Sequence, residues 1–94
     1  MAPKPVKVSI TFCSECGYEP QTLELTRALL DAVADNISSI ELIPWHDGTF
    51  EVSVAGTLVH SMAREGGFPE NETIINAVNV HVGAVAGGKE GGKA

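Results

Sequence analysis

Basic residues, aromatic residues and cysteines are all scarce in this chain of 94 residues. Six Lys and Arg stand against twelve Asp and Glu, a formal charge of -6, which disfavours binding to phosphate backbones and to anionic membrane surfaces. The aromatic share is 5%, so the core must be built mostly from aliphatic side chains. A chain of this length sustains one core. We therefore expect one small α/β domain with neither a nucleic-acid nor a membrane partner.

Long apolar runs are also missing. No segment approaches the length that spans a bilayer, and the apolar stretch after the charged start is interrupted by Ser9 and Thr11, unlike a signal peptide. The two cysteines are too few for a secreted disulfide scaffold, and a bridge between residues three apart would stabilise little. We expect a cytoplasmic protein in which Cys13 and Cys16 serve redox chemistry or metal binding.

The first half of the chain predicts a strand, a helix and a second strand. Residues 6–12 alternate apolar with polar side chains, as a half-buried strand does. Pro20 stands where a first helical turn accepts proline, and an apolar stripe follows, which predicts a helix over residues 18–34. Residues 40–43 predict a strand ended by Pro44. This order is typical of two parallel strands joined by a helix.

The second half predicts a hairpin, a loop and another helix. Residues 50–54 and 57–61 alternate around Ala55-Gly56, which indicates two antiparallel strands. The glycines of residues 64–69 predict a flexible loop. A helix is expected from about residue 70, although part of that stretch also alternates like a strand. The domain would then occupy residues 1–86, followed by a disordered tail over 87–94.

The dithiol Cys13-Ser14-Glu15-Cys16 is the strongest functional signal. A CxxC pair directly after a strand and before a helix is typical of a thioredoxin-like redox motif. Residues three apart at such a turn can form a disulfide. Glu15 and Glu19 oppose formation of the reactive thiolate, whereas the helix amino terminus favours it. We expect both sulfurs to be reachable from solvent at the mouth of the helix.

Two other interpretations compete with redox chemistry. Both cysteines could be small buried apolar residues. A zinc site would need two further ligands, and His46, His60 and His81 have no paired spacing; each is expected to be a partly exposed surface residue. No metal ligand and no catalytic histidine or serine is assigned.

Three pieces of the chain carry a resemblance to a known family: the strand and motif of residues 10–18, the hairpin of residues 48–61 and the loop of residues 64–69. In order and spacing they resemble the selenoprotein W-like branch of the thioredoxin-like superfamily, the Rdx or SelT/SelW/SelH family. The resemblance implies a two-layer β-α-β-β-β-α fold, α/β in class, with a four-stranded mixed sheet. Cys16 falls where selenocysteine stands in the selenium-containing members, and this chain lacks selenium.

The resemblance also implies thiol or selenol oxidoreductase activity that involves protein partners. We expect a thiol-disulfide oxidoreductase in redox homeostasis, with Cys13 and Cys16 as catalytic residues acting on protein or glutathione disulfides. No bound cofactor is expected, and glutathione is a candidate co-substrate. Family position favours Cys16 as the attacking residue, whereas analogy with thioredoxin favours Cys13. The alternative function is a redox-sensing binding module that recognises protein partners without turnover.

Overall fold

The structure, a computed structural model, describes residues 6–86 and contains a four-stranded sheet with two long helices packed on it. Short 3₁₀ turns follow the first strand and the first helix, at Ser14–Cys16 and Ala34–Asn36. The predicted order β-α-β-β-β-α is confirmed, with one additional short helix. The elements are β1 (Val6–Cys13), α1 (Glu19–Val33), β2 (Ile37–Trp45), β3 (Phe50–Val54), β4 (Thr57–Ser61), α2 (Met62–Glu65) and α3 (Asn71–Ala86).

The sheet is mixed, as predicted, and β1 lies inside it. The strand order is β2-β1-β3-β4. β1 pairs with β2 in parallel and with β3 antiparallel, and β4 completes the hairpin. Because β2 and β3 flank β1 on opposite sides, the connection between them must cross the end of β1. That end carries the cysteines.

The core contains the apolar side chains of β1, which alternate with polar ones, and the apolar stripes of α1 and α3. One face of each element is apolar, and α1 and α3 contact each other as well as the sheet, so these faces bury one another. α1 begins and ends within a residue of its predicted bounds, and α3 begins one residue after its predicted start. The buried side chains include Val6, Val8, Ile10, Phe12, Leu25, Leu29, Val33, Phe50, Val52, Val54, Ile74 and Val78.

The predicted hairpin turn at Ala55-Gly56 is confirmed. Ala55 has φ 54° and Gly56 has φ 84°, the pair of positive values that a two-residue type I′ turn requires. This turn matches the twist of the flanking strands. Glycine adopts such a φ without strain, whereas Ala55 is held there by the pairing of β3 with β4.

The prediction for β2 was too short. The strand runs from Ile37 to Trp45 and continues through Pro44, which was expected to end it. Proline cannot donate to a strand ladder, but β2 is an edge strand and β1 is its one neighbour, so the missing donor costs little there. The longer strand brings Trp45 into the sheet.

Residues 64–69 were predicted to form a flexible loop, which is wrong for the first two of them. Met62–Glu65 form the short helix α2, and Gly66 ends it in the left-handed region with its N–H donating to the Met62 carbonyl at 2.7 Å, a common C-terminal cap. The predicted tail, 87–94, lies outside the described residues. Within residues 6–86, no helix combines the length and the apolar character needed to cross a bilayer.

Two adjacent leucines of α1 test the placement of the core. Leu29 is fully buried, whereas Leu30 is 51% exposed. Leu29→Ala is expected to lower the free energy of unfolding by about 2 to 5 kcal/mol, because it removes buried methylene groups and leaves a cavity. Leu30→Ala should change it by less than about 0.5 kcal/mol. Urea unfolding at constant slope measures both, and equal losses would contradict the assigned face of α1.

Candidate functional site

Cys13 and Cys16 form a disulfide at the end of β1. Their Cα atoms lie 5.4 Å apart, within the range that bridged cysteines adopt. Cys13 is the last residue of β1, and Cys16 is the last residue of the 3₁₀ turn that follows. The predicted pairing is therefore present, and the chain can hold the two sulfurs in bonding contact.

The disulfide is separated from α1 by a sharp change of direction. Gly17 adopts the left-handed conformation with φ 79°, and α1 begins at Glu19. The predicted position of the dithiol, after a strand and before a helix that starts near residue 18, is confirmed. Glycine permits the reversal between the 3₁₀ turn and α1 because it has no Cβ to clash.

The two cysteines differ in exposure. Cys13 has no accessible surface, whereas Cys16 is exposed. The expectation that both sulfurs are reachable from solvent is wrong for Cys13. Cys16 is therefore the residue of the pair that a molecule in solvent can contact.

Cys13 is buried because the connection from β2 to β3 closes over the end of β1. Trp45 is its register partner on β2, and the Cys13 N–H donates to the Thr49 carbonyl at 2.7 Å. Ser14 Oγ donates to the Trp45 carbonyl at 3.3 Å. The turn between these residues has Asp47 and Gly48 at positive φ, again the sequence and geometry of a tight type I′ turn. The strand end is therefore covered from both neighbouring strands.

An aromatic cluster lies beside the disulfide. Tyr18 packs edge-on against Phe68 with ring centroids 5.0 Å apart, and Phe68 packs edge-on against Phe50 at the same distance. The next contact is Phe50 with His60, at 6.4 Å. Edge-to-face pairs of this kind stabilise beyond the area they bury. The loop that carries Phe68 is thus held against the residue that follows Gly17.

His60 was predicted to be partly exposed, and it is buried at 6% exposure. Its Nε2 contacts the Gly67 carbonyl at 2.6 Å, so the tautomer with a proton on Nε2 donates this bond. His60 pairs in register with Val52, a core residue. Burial along β4 does not alternate, because its pairing with β3 shifts register between Val52 and Ser53. The sequence therefore offers no sign of this inward position or of the carbonyl that satisfies the ring.

A cleft of about 300 Å³ lies between α1 and the start of α3. Phe50 and Phe68 from the aromatic cluster form part of its wall, and Phe68 contacts Tyr18, two residues after Cys16. The other lining residues are mostly polar, two of them glutamates. The lining consists of Gln21, Glu24, Leu25, Phe50, Phe68, Pro69, Glu70 and Asn71.

Carboxylates dominate the end of the sheet where the disulfide lies, which we call the dithiol edge (residues 13–19, 45–51 and 61–72). Among the residues that the structure describes, the basic side chain at this edge is Arg64, and it pairs with Glu65 at 2.9 Å. Lys7 and Arg27 pair with carboxylates elsewhere, on β2 and α1. The exposed acidic residues of the dithiol edge are Glu15, Glu19, Asp47, Glu65, Glu70 and Glu72.

The histidines considered as zinc ligands lie at separate places. His46 stacks on Trp45 at the dithiol edge, and His81 lines a groove between β4 and α3. Between residues 6 and 86, no three His, Cys, Asp or Glu side chains gather in a way that could hold a metal ion. The site found in this part of the chain is therefore the disulfide itself.

The difference in burial predicts unequal alkylation after reduction. Iodoacetamide should modify Cys16 at least about tenfold faster than Cys13, because thiol reactivity depends on access. Mass spectrometry of peptides from a time course measures both rates. In denaturant the two rates should converge, and equal rates in the folded protein would contradict the burial of Cys13.

Trp45 provides an optical test of the same geometry. Trp45 is the one tryptophan of the chain. It is 52% exposed and is the register partner of Cys13. Disulfides quench an excited indole at close range, so reduction should increase Trp45 emission. A variant with both cysteines replaced by serine serves as the control and should not respond to reductant. Unchanged emission of the native chain on reduction would contradict this placement.

Comparison of sequences identifies relatives of the chain. Residues 7–80 match the model of the Rdx family. Migration and invasion enhancer 1 of Bos taurus is 35% identical over 75 residues, which are 78% of this chain and 62% of that protein, so the chain spans less than two thirds of that relative's length. Selenoprotein W of Ovis aries is 36% identical over 69 residues, or 72% of this chain and 79% of that protein.

Solved structures confirm the thioredoxin-like fold. The selenoprotein W-related protein of Vibrio cholerae superposes with a TM-score of 0.75 at 27% identity, covering 79% of this chain and 92% of that one. A protein of Bordetella parapertussis superposes with a TM-score of 0.77 at 23% identity, covering 82% and 98%; it is evidence for the fold alone. Family model, relatives and fold agree with the earlier resemblance, and the chain belongs to the Rdx family.

Proposed function

We propose that this protein is a thiol-disulfide oxidoreductase in which Cys16 attacks the substrate disulfide and Cys13 resolves the mixed disulfide. Membership of the Rdx family and the CxxC pair in bonding contact support a redox role. The observation that carries the assignment of the two cysteines is their unequal exposure. Cys16 is exposed and Cys13 is buried.

Access decides which sulfur attacks. Exchange requires a thiolate to approach a disulfide sulfur, so the attacking residue must meet a substrate as large as a protein. Cys16 satisfies this condition, and Cys13 does not. Cys13 nevertheless lies within bonding distance of Cys16, which is the one contact that a resolving cysteine needs.

The reaction balances over two steps. The Cys16 thiolate attacks one substrate sulfur, the substrate S–S bond breaks, and the departing thiolate takes a proton from water. The Cys13 thiolate then attacks the Cys16 sulfur, which forms the Cys13–Cys16 disulfide and releases the second substrate thiol. The substrate gains two electrons and the protein dithiol loses them.

The surroundings of Cys16 favour slow exchange over fast peroxide chemistry. No Lys or Arg lies between Lys7 and Arg27 in the sequence, and the adjacent Glu15 disfavours a second negative charge. A thiol is also a weaker nucleophile at neutral pH than the selenol of selenium-containing family members. We therefore place the activity in thiol-disulfide exchange with protein or glutathione disulfides.

A reducing compartment such as the cytoplasm suits this activity, and we propose a role in redox homeostasis there. The disulfide closes a loop between residues three apart, so it constrains the unfolded chain little and adds little stability. A bridge of this kind has more value as a reversible bond than as a permanent one.

Single cysteine variants test the assignment. Cys16→Ser is expected to abolish exchange with a model disulfide, because the exposed nucleophile is lost. Cys13→Ser should still attack but should accumulate a mixed disulfide, since no thiol remains to resolve it. Non-reducing mass spectrometry detects the trapped adduct. Trapping by Cys16→Ser instead would reverse the assigned roles.

The alternative, a redox-sensing binding module, is favoured by one observation. Trp45 and Phe68 are large apolar side chains that remain 52% and 39% exposed near the disulfide, and such residues often contact protein partners. Partner binding that depends on the redox state, without reduction of any disulfide in the assay above, would favour this module over the oxidoreductase.

A further inference from the structure

The acidic character of the dithiol edge bears on which disulfides can reach Cys16. A substrate approaching the exposed sulfur passes Glu15, on the same 3₁₀ turn, and Glu19 at the start of α1. Asp47 stands on the turn that covers Cys13; its side chain is 83% exposed and its carboxylate contacts His46 Nδ1 at 2.8 Å. Clustered charges of one sign attract oppositely charged ligands and repel others over distances of about 10 Å in dilute salt.

The cleft beside the aromatic cluster has the chemistry to hold a cationic side chain. Its wall combines the rings of Phe50 and Phe68 with the carboxylates of Glu24 and Glu70. The aliphatic stem of a lysine or arginine packs on apolar surface while its charged head stays beside polar groups. In the part of the chain that the structure describes, neither glutamate forms an ion pair.

We propose that the substrate of Cys16 is a disulfide in a polypeptide that carries lysine or arginine close to its cysteine, with one such side chain seated in the cleft. The proposal rests on the proposed oxidoreductase function and specifies its substrate class. Oxidised glutathione is disfavoured, because each half carries two carboxylates and one ammonium group. The electron balance is that of the two-step exchange above.

Two cystine-linked peptides of equal length test the proposal. One has lysines on both sides of each cysteine, and the other has glutamates. The fully reduced protein is mixed with each under single-turnover conditions, and release of peptide thiol is followed by chromatography. Because a nearby ammonium group also makes a thiol a better leaving group, each rate is divided by the rate of the same peptide with dithiothreitol.

We expect the normalised rate for the lysine peptide to exceed that for the glutamate peptide by about tenfold at low ionic strength, the lower end of typical electrostatic steering. The ratio should fall toward one in about 0.5 M salt, which screens exposed charges. Oxidised glutathione should behave like the glutamate peptide. A normalised ratio near one at low salt would overturn the proposal.

Charge-neutral variants localise the effect. Glu15→Gln and Glu70→Gln should each lower the ratio by about twofold to fivefold, the range of an exposed charge pair. Asp35→Asn is the matched control, because Asp35 is exposed in the 3₁₀ turn that precedes β2, at the opposite end of the sheet. Using the ratio cancels any effect of Glu15 on the reactivity of the thiolate itself. Equal effects of all three variants would contradict a local role for the dithiol edge.

Different results would contradict the oxidoreductase function and the preference for cationic substrates. If neither peptide nor oxidised glutathione is reduced faster by the native protein than by Cys16→Ser, the oxidoreductase function is wrong. If the peptides are reduced with equal normalised rates, the oxidoreductase function stands and the preference for cationic substrates is wrong.

Discussion

The rest of the site depends on one constraint, the position of β1 between β2 and β3. β2 and β3 flank β1, so the chain between them must pass over the strand end, and the tight turn at Asp47-Gly48 keeps that passage close. The hydrogen bond from the Cys13 N–H to the Thr49 carbonyl fixes the last residue of the strand beneath it. One cysteine is consequently enclosed by the sheet, and the other follows on a turn that projects into solvent.

The two cysteines of the dithiol therefore lie in different environments, Cys13 buried and Cys16 exposed. In the proposed exchange reaction, the buried sulfur is out of reach of a large substrate and displaces that substrate from the exposed sulfur beside it. Gly17 completes the arrangement, since its left-handed conformation turns the chain from the 3₁₀ turn into α1. The helix therefore supports the loop from behind through Tyr18 and does not begin at the cysteines.

Packed aromatic side chains and exposed charged side chains surround the dithiol. The contacts from Tyr18 through Phe68 to Phe50 join the start of α1, the loop before α3 and the sheet. The buried His60 holds the same loop through the Gly67 carbonyl. At the surface around these packed side chains, most of the exposed charged groups are carboxylates, and on them rests our proposal that the edge presenting Cys16 favours positively charged substrates.

Local patterns in the sequence determined the element order and the CxxC position, because period-two and helical repeats, turn residues and proline act over a few neighbours. The four-stranded mixed sheet was implied by the family resemblance. The local patterns misplaced the end of β2, since only the sheet order shows that Pro44 lies on an edge strand where its missing donor is tolerated. They also assigned equal exposure to both cysteines and an exposed position to His60. Those properties were decided by tertiary structure, because burial depends on which strand or loop packs against a residue. Trp45 and Thr49, which cover Cys13, are more than 30 positions from it in the sequence. Gly67, which bonds to His60, lies beyond the helix that follows β4.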